Sequence, residues 1–268
     1  MAPDDGTTPS ASVILREVSE GVCTLTLNRP DNRNPLSDEM LKALQKALEE
    51  IAQDTAIKAV ILAANGSVFS AGHDLKEVRA IADDYDKVHD LFLRCSEVML
   101  SMTRLPQPVI AKVQGTATAA GCQLVASCDL AIASETAMFA TPGVNIGLFC
   151  STPAVAISRV IGRKHAMEML LSGDMFSAED AYRFGLVNKI VSSDDLDVSV
   201  WETAKNIASR SSLTISMGKE GFYRQLGMDL DDAYSCTSEV MARNMTAPDA
   251  QEGVDAFLEK RKPEWKGR

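Results

Sequence analysis

Residues 108–123 read PVIAKVQGTATAAGCQ. The apolar run after Pro108 is a short buried strand, and Gly115 to Gly121 are all small residues, placed where a strand should pass into a helix. Small side chains let a ligand approach the main chain, and the unpaired N–H groups of a helix start favour a developing negative charge. FSAGHDL at residues 69–75 has the same character. Two such sets of donors facing one another would make an oxyanion hole. The same residues would equally allow close helix packing, and residue type alone does not separate the two readings.

Working outward, residues 13–18 and 22–27 alternate apolar and polar around Ser19-Glu20-Gly21, which predicts an opening hairpin. Ser37 then precedes Leu41, Leu44, Leu48 and Ile51, one face of an amphipathic helix with Ser37 as its N-cap. KAVILA (58–63) is a compact strand; a helical pattern follows over 85–103 and stops before Pro106 and Pro108. CDLAIA (128–133) and residues 186–191, after Gly185, are further strands. Beyond Asp194 strand signals vanish, and three or four helical patterns take over, the last introduced by Pro248 and carrying Val254, Phe257 and Leu258. The expected organisation is a disordered tail (1–12), an α/β core (13–193) and a helical C-terminal region (194–268) packed on the core or on a neighbouring subunit.

Composition narrows the classes of function. The 268 residues are 46% apolar and carry 27 Lys and Arg against 37 Asp and Glu, a formal charge of −10, which offers no electrostatic reason for a nucleic acid partner. No apolar stretch is long enough to cross a bilayer, so membrane insertion is not expected. Six scattered cysteines without a C-x-x-C pair and three dispersed histidines point to reduced thiols and no metal site. No dinucleotide fingerprint, P-loop or nucleophile elbow is present.

NRPDNRNPLS (28–37), FSAGHDLKE (69–77), residues 114–129, FATP (139–142), the run from Gly162 to Val191, and AFLEKRKPEW (256–265) follow one another in an order that resembles the crotonase (enoyl-CoA hydratase/isomerase) superfamily, most of all the mitochondrial enoyl-CoA hydratase domain-containing proteins of animals. The resemblance implies an α/β spiral of strand-strand-helix repeats with a C-terminal helical region, trimers that often pair into hexamers, a mitochondrial location, and acyl-CoA thioesters as substrates. Coenzyme A would enter as part of the substrate, with no separate cofactor. By position, the backbone N–H groups of Ala71 and Ala120 would form the oxyanion hole. His73, Asp74 and Leu75, with Phe257 and Lys260 from the C-terminal segment, would contact the coenzyme.

The departures from that pattern are at the acid–base positions. Family hydratases carry one Glu where this chain has Gln123 and a second where it has Gly143. An amide has no titratable proton near neutral pH, and glycine has no side chain, so neither serves as a general acid or base. The resemblance therefore implies a hydratase-like protein of fatty-acid metabolism with weak or altered activity, or a non-catalytic acyl-CoA-binding or regulatory protein. His73 sits two residues after Ala71 and is of the residue type that titrates nearest neutrality, and Cys150 and Asn145 follow Gly143 as candidate pocket residues. His89 and His165 lie in helical patterns and are expected on the surface, and Asp129 is expected to orient backbone at a strand start.

Overall fold

The computed structural model describes residues 12–268; the expected disordered tail therefore falls almost wholly outside the described residues. β1 (Ile14–Ser19) and β2 (Val22–Leu27) pair antiparallel. Glu20 and Gly21 between them have φ of 49° and 78°, the primed turn that matches strand twist. α1 (Asp38–Gln53) is capped by Ser37, whose side chain accepts from Met40 N, and buries Leu41, Leu44, Leu48 and Ile51. β3 (Ala59–Ala64) is buried at every position. It lies between parallel neighbours, and a strand covered on both faces needs no polar alternation.

From here the chain spirals. β4 (Val68–Ser70) leads into α2 (Leu75–Ala80) and α3 (Tyr85–Arg104); β5 (Val109–Val113) and β6 (Thr116–Thr118) lead into α4 (Ala120–Ser127). β7 (Leu130–Ser134), β8 (Met138–Ala140), a 3-10 turn at Pro142–Ile146, α5 (Ser151–Val160) and α6 (Arg163–Ser172) form the next turn. β9 (Phe176–Ser177), α7 (Ala178–Phe184) and β10 (Lys189–Val191) close it. From β3 to β8 the strands alternate between two sheets, one of six strands in the order β1-β2-β3-β5-β7-β10 and one of four in the order β4-β6-β8-β9. This is the expected strand-strand-helix spiral. The strand predicted over 186–191 is shorter than expected, because Leu186 and Val187 belong to the turn that ends α7 and only Lys189–Val191 pairs with β7.

Because side chains alternate across a strand, the large sheet has two cores. Leu25, Val60, Leu62, Val109 and Ala111 face α1, α3 and α4. Ala59, Ile61, Ala63, Ile110 and Ile132 face the opposite way and meet Leu196, Val200, Ala204 and Ala208 of α8 (Leu196–Ala208). The helical region expected from 194 thus divides in its packing. α8 completes the core, whereas α9 (Ser212–Gln225), α10 (Leu230–Met245) and α11 (Pro248–Leu258) pack chiefly on one another as an arm. α9 buries only Gly221, and α10 buries no residue.

A buried polar cluster joins the arm to the core. Lys219 Nζ donates to Met102 O at 2.8 Å, Gln107 O at 3.0 Å and Asp129 Oδ2 at 2.6 Å, and Tyr223 OH donates to Asp129 Oδ1 at 2.9 Å. Asp129 also accepts from Val109 N at 2.7 Å, so it does orient backbone at a strand start, although the strand is β5 rather than its own.

Candidate active site

Parallel pairing of β4 with β6 brings the two small-residue turns to the same end of the smaller sheet. Gly72, with φ 88°, lies against the start of α4: a Cβ on it would sit 3.0 Å from Thr118 O and 3.2 Å from Ala120 N. A Cβ on Gly121 would lie 2.3 Å from Ser70 O. Backbone meets backbone here, so close packing alone requires Gly121. The same approach places the FSAGHDL turn beside the N-terminus of α4.

The donors at this junction differ in part from the expectation. Ala119, with φ 50°, is held by its N–H to Ala140 O at 2.9 Å and offers no side-chain cap. The first bond within α4 runs from Gln123 N to Ala119 O at 3.0 Å. Among the described residues the N–H of Ala120 has no protein partner, as expected of a first helical residue. Ala71 is different. Its N–H donates to Arg33 O at 3.0 Å, because the NRPDNRNPLS segment runs alongside this turn. The N–H that finds no protein acceptor, among the described residues, is that of His73, two residues further on.

Deeper in the site, Gln123 and Thr141 are buried (3% and 0% exposed), and among the described residues neither Gln123 Oε1 nor Thr141 Oγ1 has a hydrogen-bond partner. Gly143 is buried in the 3-10 turn. A Cβ at Gly143 would lie 2.8 Å from Leu148 O and 2.9 Å from Cys150 Sγ, so the loop that follows fills the place of any side chain. Cys150 precedes α5, and burial pushes its thiol pKa up. Asn145 Nδ2 donates to Gly173 O at 3.3 Å and ties the 3-10 turn to the end of α6.

His73 Nδ1 lies 3.3 Å from Leu36 O and the ring meets Phe92 edge-on at 5.1 Å; Nε2 is sealed and unpartnered. Burial pushes the imidazole pKa down, so the ring is neutral, with the Nδ1 proton on Leu36. The Asp74 carboxylate accepts from Lys76 N and Glu77 N as the N-cap of α2, and Leu75 opens that helix with its side chain exposed. Phe257 (82% exposed) and Lys260 (φ 57°) lie on the arm, where α11 packs on α9 and α10. His89 stacks on Tyr85 at the surface, and His165 stacks on Phe184 at 4.0 Å. A cleft of about 360 Å3 lined by Thr24, Ile61, Lys112, Asp197 and Trp201 lies on the α8 side of the large sheet, facing away from this junction.

Sequence reasoning met Thr141 only within FATP and missed Lys219 and Tyr223; nothing local marks the latter two, whose shared partner Asp129 is distant in the chain.

The chain and its spiral fold match a known family. The enoyl-CoA hydratase/isomerase model matches residues 17–268, and the chain belongs to that crotonase family. Rat mitochondrial enoyl-CoA hydratase domain-containing protein 3 is 48% identical over 246 residues, 92% of this chain and 82% of the relative. Two solved structures are similar. An enoyl-CoA hydratase of Mycobacterium smegmatis shares 52% identity with a TM-score of 0.92, covering 94% of this chain and 98% of that one. Human enoyl-CoA hydratase domain-containing protein 3 shares 47% identity with a TM-score of 0.91, covering 94% and 100%.

Proposed function

We propose that this protein binds acyl-CoA thioesters, with the N–H groups of His73 and Ala120 directed at the thioester carbonyl, and that it hydrates enoyl-CoA slowly or not at all. The observation that carries the reading is the contact of the Gly72 turn with the start of α4, 3.2 Å from the Gly72 Cβ position to Ala120 N. That contact brings the turn that carries His73 against the helix start that carries Ala120, which supports reading their N–H groups as a pair of donors. One oxyanion donor is worth about 2.7–4 kcal/mol in other enzymes. Calorimetry with saturated and unsaturated acyl-CoAs tests the binding; no heat or thermal shift at millimolar ligand overturns it.

The weak-turnover part rests on Gln123 and on the filled space at Gly143. Acid–base assistance contributes about two to four orders of magnitude, so crotonyl-CoA hydration should run at least about a hundredfold slower than in hydratases with both carboxylates. A rate within tenfold of theirs refutes this. Non-catalytic acyl-CoA binding or regulation is the alternative reading, favoured by the same filled space.

Surface chemistry supports a reading of self-association. The arm exposes Phe222, Leu230, Tyr234, Met241 and Phe257, and a second apolar surface comprises Ile146, Leu148, Phe149, Leu171 and Met175. Two different sticky surfaces on one chain pair head to tail, and a closing rotation gives a ring. The reading is a trimer or a dimer of trimers, in which Phe257 and Lys260 reach a neighbour's coenzyme. Light scattering on the intact chain and on one truncated before Pro248 tests it; a monomeric intact chain contradicts it. A mitochondrial location is supported by the names of the rat, mouse and human relatives.

A further inference from the structure

α11 buries only Asp249 and Ala256, too little apolar surface to hold an 11-residue helix in place. A clasp holds it instead. Residues 259–268 turn back along α11, and the buried Asp249 carboxylate (1% exposed) accepts from Ser211 Oγ at 2.6 Å, Lys266 N at 2.8 Å and Gly267 N at 3.0 Å. Asp249 N donates to Arg268 O at 3.0 Å. The Glu252 carboxylate accepts from both terminal nitrogens of Arg261, at 2.5 and 2.9 Å, and from Glu264 N at 2.8 Å. The Trp265 ring lies on Gly253, where a Cβ would sit 3.1 Å from it, and its Nε1 donates to Ser209 O at 2.9 Å, at the end of α8.

The turn into the clasp carries a residue that stability alone would not choose. Arg261 N donates to Ala256 O at 3.0 Å and Lys260 N to Phe257 O at 3.3 Å, the bonding of a helix stop whose left-handed position usually falls to glycine. Here that position is Lys260, with φ 57°. A side chain is strained there, and such strain tends to sit where function needs the residue. Among the described residues the Lys260 ammonium has no acceptor, whereas Arg261 beside it engages Glu252 and Glu259. Phe257, three residues earlier, is exposed. A cation and a bare aromatic ring held on one turn suit a ligand with a planar base and phosphates.

We propose that Asp249 is a positioning residue for coenzyme binding: it anchors the clasp that turns at Lys260, and so holds Lys260 and Phe257 as a pair against the nucleotide end of a coenzyme bound by a second copy of the chain. That role rests on the assembly reading above and adds what keeps the two side chains in place. Without the clasp both stand on a loose helix end, and the cost of ordering them on binding weakens affinity.

The test is calorimetric titration of the intact protein with butyryl-CoA and with butyryl-pantetheine, which lacks the nucleotide. Asp249→Asn replaces an acceptor by an amide N–H that faces other donors, and Lys260→Gly keeps the turn while deleting the cation. Each should bind butyryl-CoA about tenfold more weakly than the parent and butyryl-pantetheine with unchanged affinity. Hydrogen exchange should show the Lys266 and Gly267 amides opening in Asp249→Asn and staying protected in Lys260→Gly. A loss of butyryl-CoA affinity in Lys260→Gly with none in Asp249→Asn overturns the positioning role. Equal loss of both ligands in Asp249→Asn overturns it too, because a general loss of structure does not distinguish the nucleotide. No loss in Lys260→Gly sinks the coenzyme contact and the positioning role with it, and a parent that binds neither ligand sinks the thioester reading itself, so the failures are distinguishable. Should Asp249→Asn not fold, Trp265→Ala decides: undiminished butyryl-CoA affinity with freely exchanging clasp amides overturns the role.

Discussion

Lys219 Nζ lies 2.6 Å from Asp129 Oδ2, with the lysine side chain only 7% exposed and two main-chain carbonyls also accepting from the ammonium. This pair, rather than apolar packing, fastens α9 to the ends of α3 and β5. Removing one partner leaves the other charge buried and unpaired, so Lys219→Ala should cost about 3–5 kcal/mol. Urea unfolding measures the loss. Hydrogen exchange should show the amides of α9 and α10 opening before those of α1; unchanged protection in the arm contradicts the latch.

Gly143→Ala should destabilise the protein by about 1–3 kcal/mol, the usual cost of overpacking, because its Cβ would meet Leu148 O at 2.8 Å and Cys150 Sγ at 2.9 Å. Thermal denaturation reads this directly. Adding Cys150→Ala should recover only part of the loss, since the Leu148 carbonyl is backbone.

Introducing both missing carboxylates should fail for the same reason. Gly143→Glu places a carboxylate stem where the loop already sits, so Gln123→Glu with Gly143→Glu is expected to hydrate crotonyl-CoA no faster than Gln123→Glu alone. A gain of tenfold in the double variant would show that the loop yields.

The imidazole of His73 gives a pH dependence of defined sign. Burial holds its pKa below the ordinary 6.5. Above pH 6.5 both folded and unfolded chains carry it neutral and the stability is fully present. As pH falls below 6.5 the unfolded chain takes up a proton that the folded site refuses, and stability is lost down to the folded pKa. Urea midpoints for the parent should therefore drop more between pH 7.5 and 5.5 than those of His73→Gln. Parallel curves for the two proteins contradict the assignment.

Cysteine reactivity should follow burial. Five thiols are buried, and burial pushes Cys95 and Cys122 up to about 12, while Cys236 on α10 is partly exposed. The native protein should take up no more than one equivalent of iodoacetamide quickly at neutral pH, against six once unfolded. Fast alkylation of a second thiol contradicts the packing around α4.

The long elements were legible because their signals are local. The hairpin showed in its alternation, α1 in the spacing of Leu41, Leu44, Leu48 and Ile51, and β3 in an unbroken apolar run. The smaller sheet was not legible. Its strands are two or three residues long, too short for any period, and they exist because they pair with one another across turns of the spiral. α8 read like the helices after it, and only its contact with the outer face of the large sheet assigns it to the core.

The sequence by itself determined which small-residue segments are candidates for a ligand and that positions 123 and 143 carry no carboxylate, because side-chain identity fixes both. Which backbone donors are left unpaired was decided by tertiary structure. Ala71 and His73 stand on the same turn, and the Arg33 carbonyl, brought alongside by folding, takes the N–H of one and leaves the other. Gly143 likewise reads in sequence as a missing side chain. In the folded protein its place is taken by the Leu148 carbonyl and the Cys150 sulfur, atoms that local pattern cannot position because the 3-10 turn before the loop packs on α6 and the helix after it, α5, packs on α4.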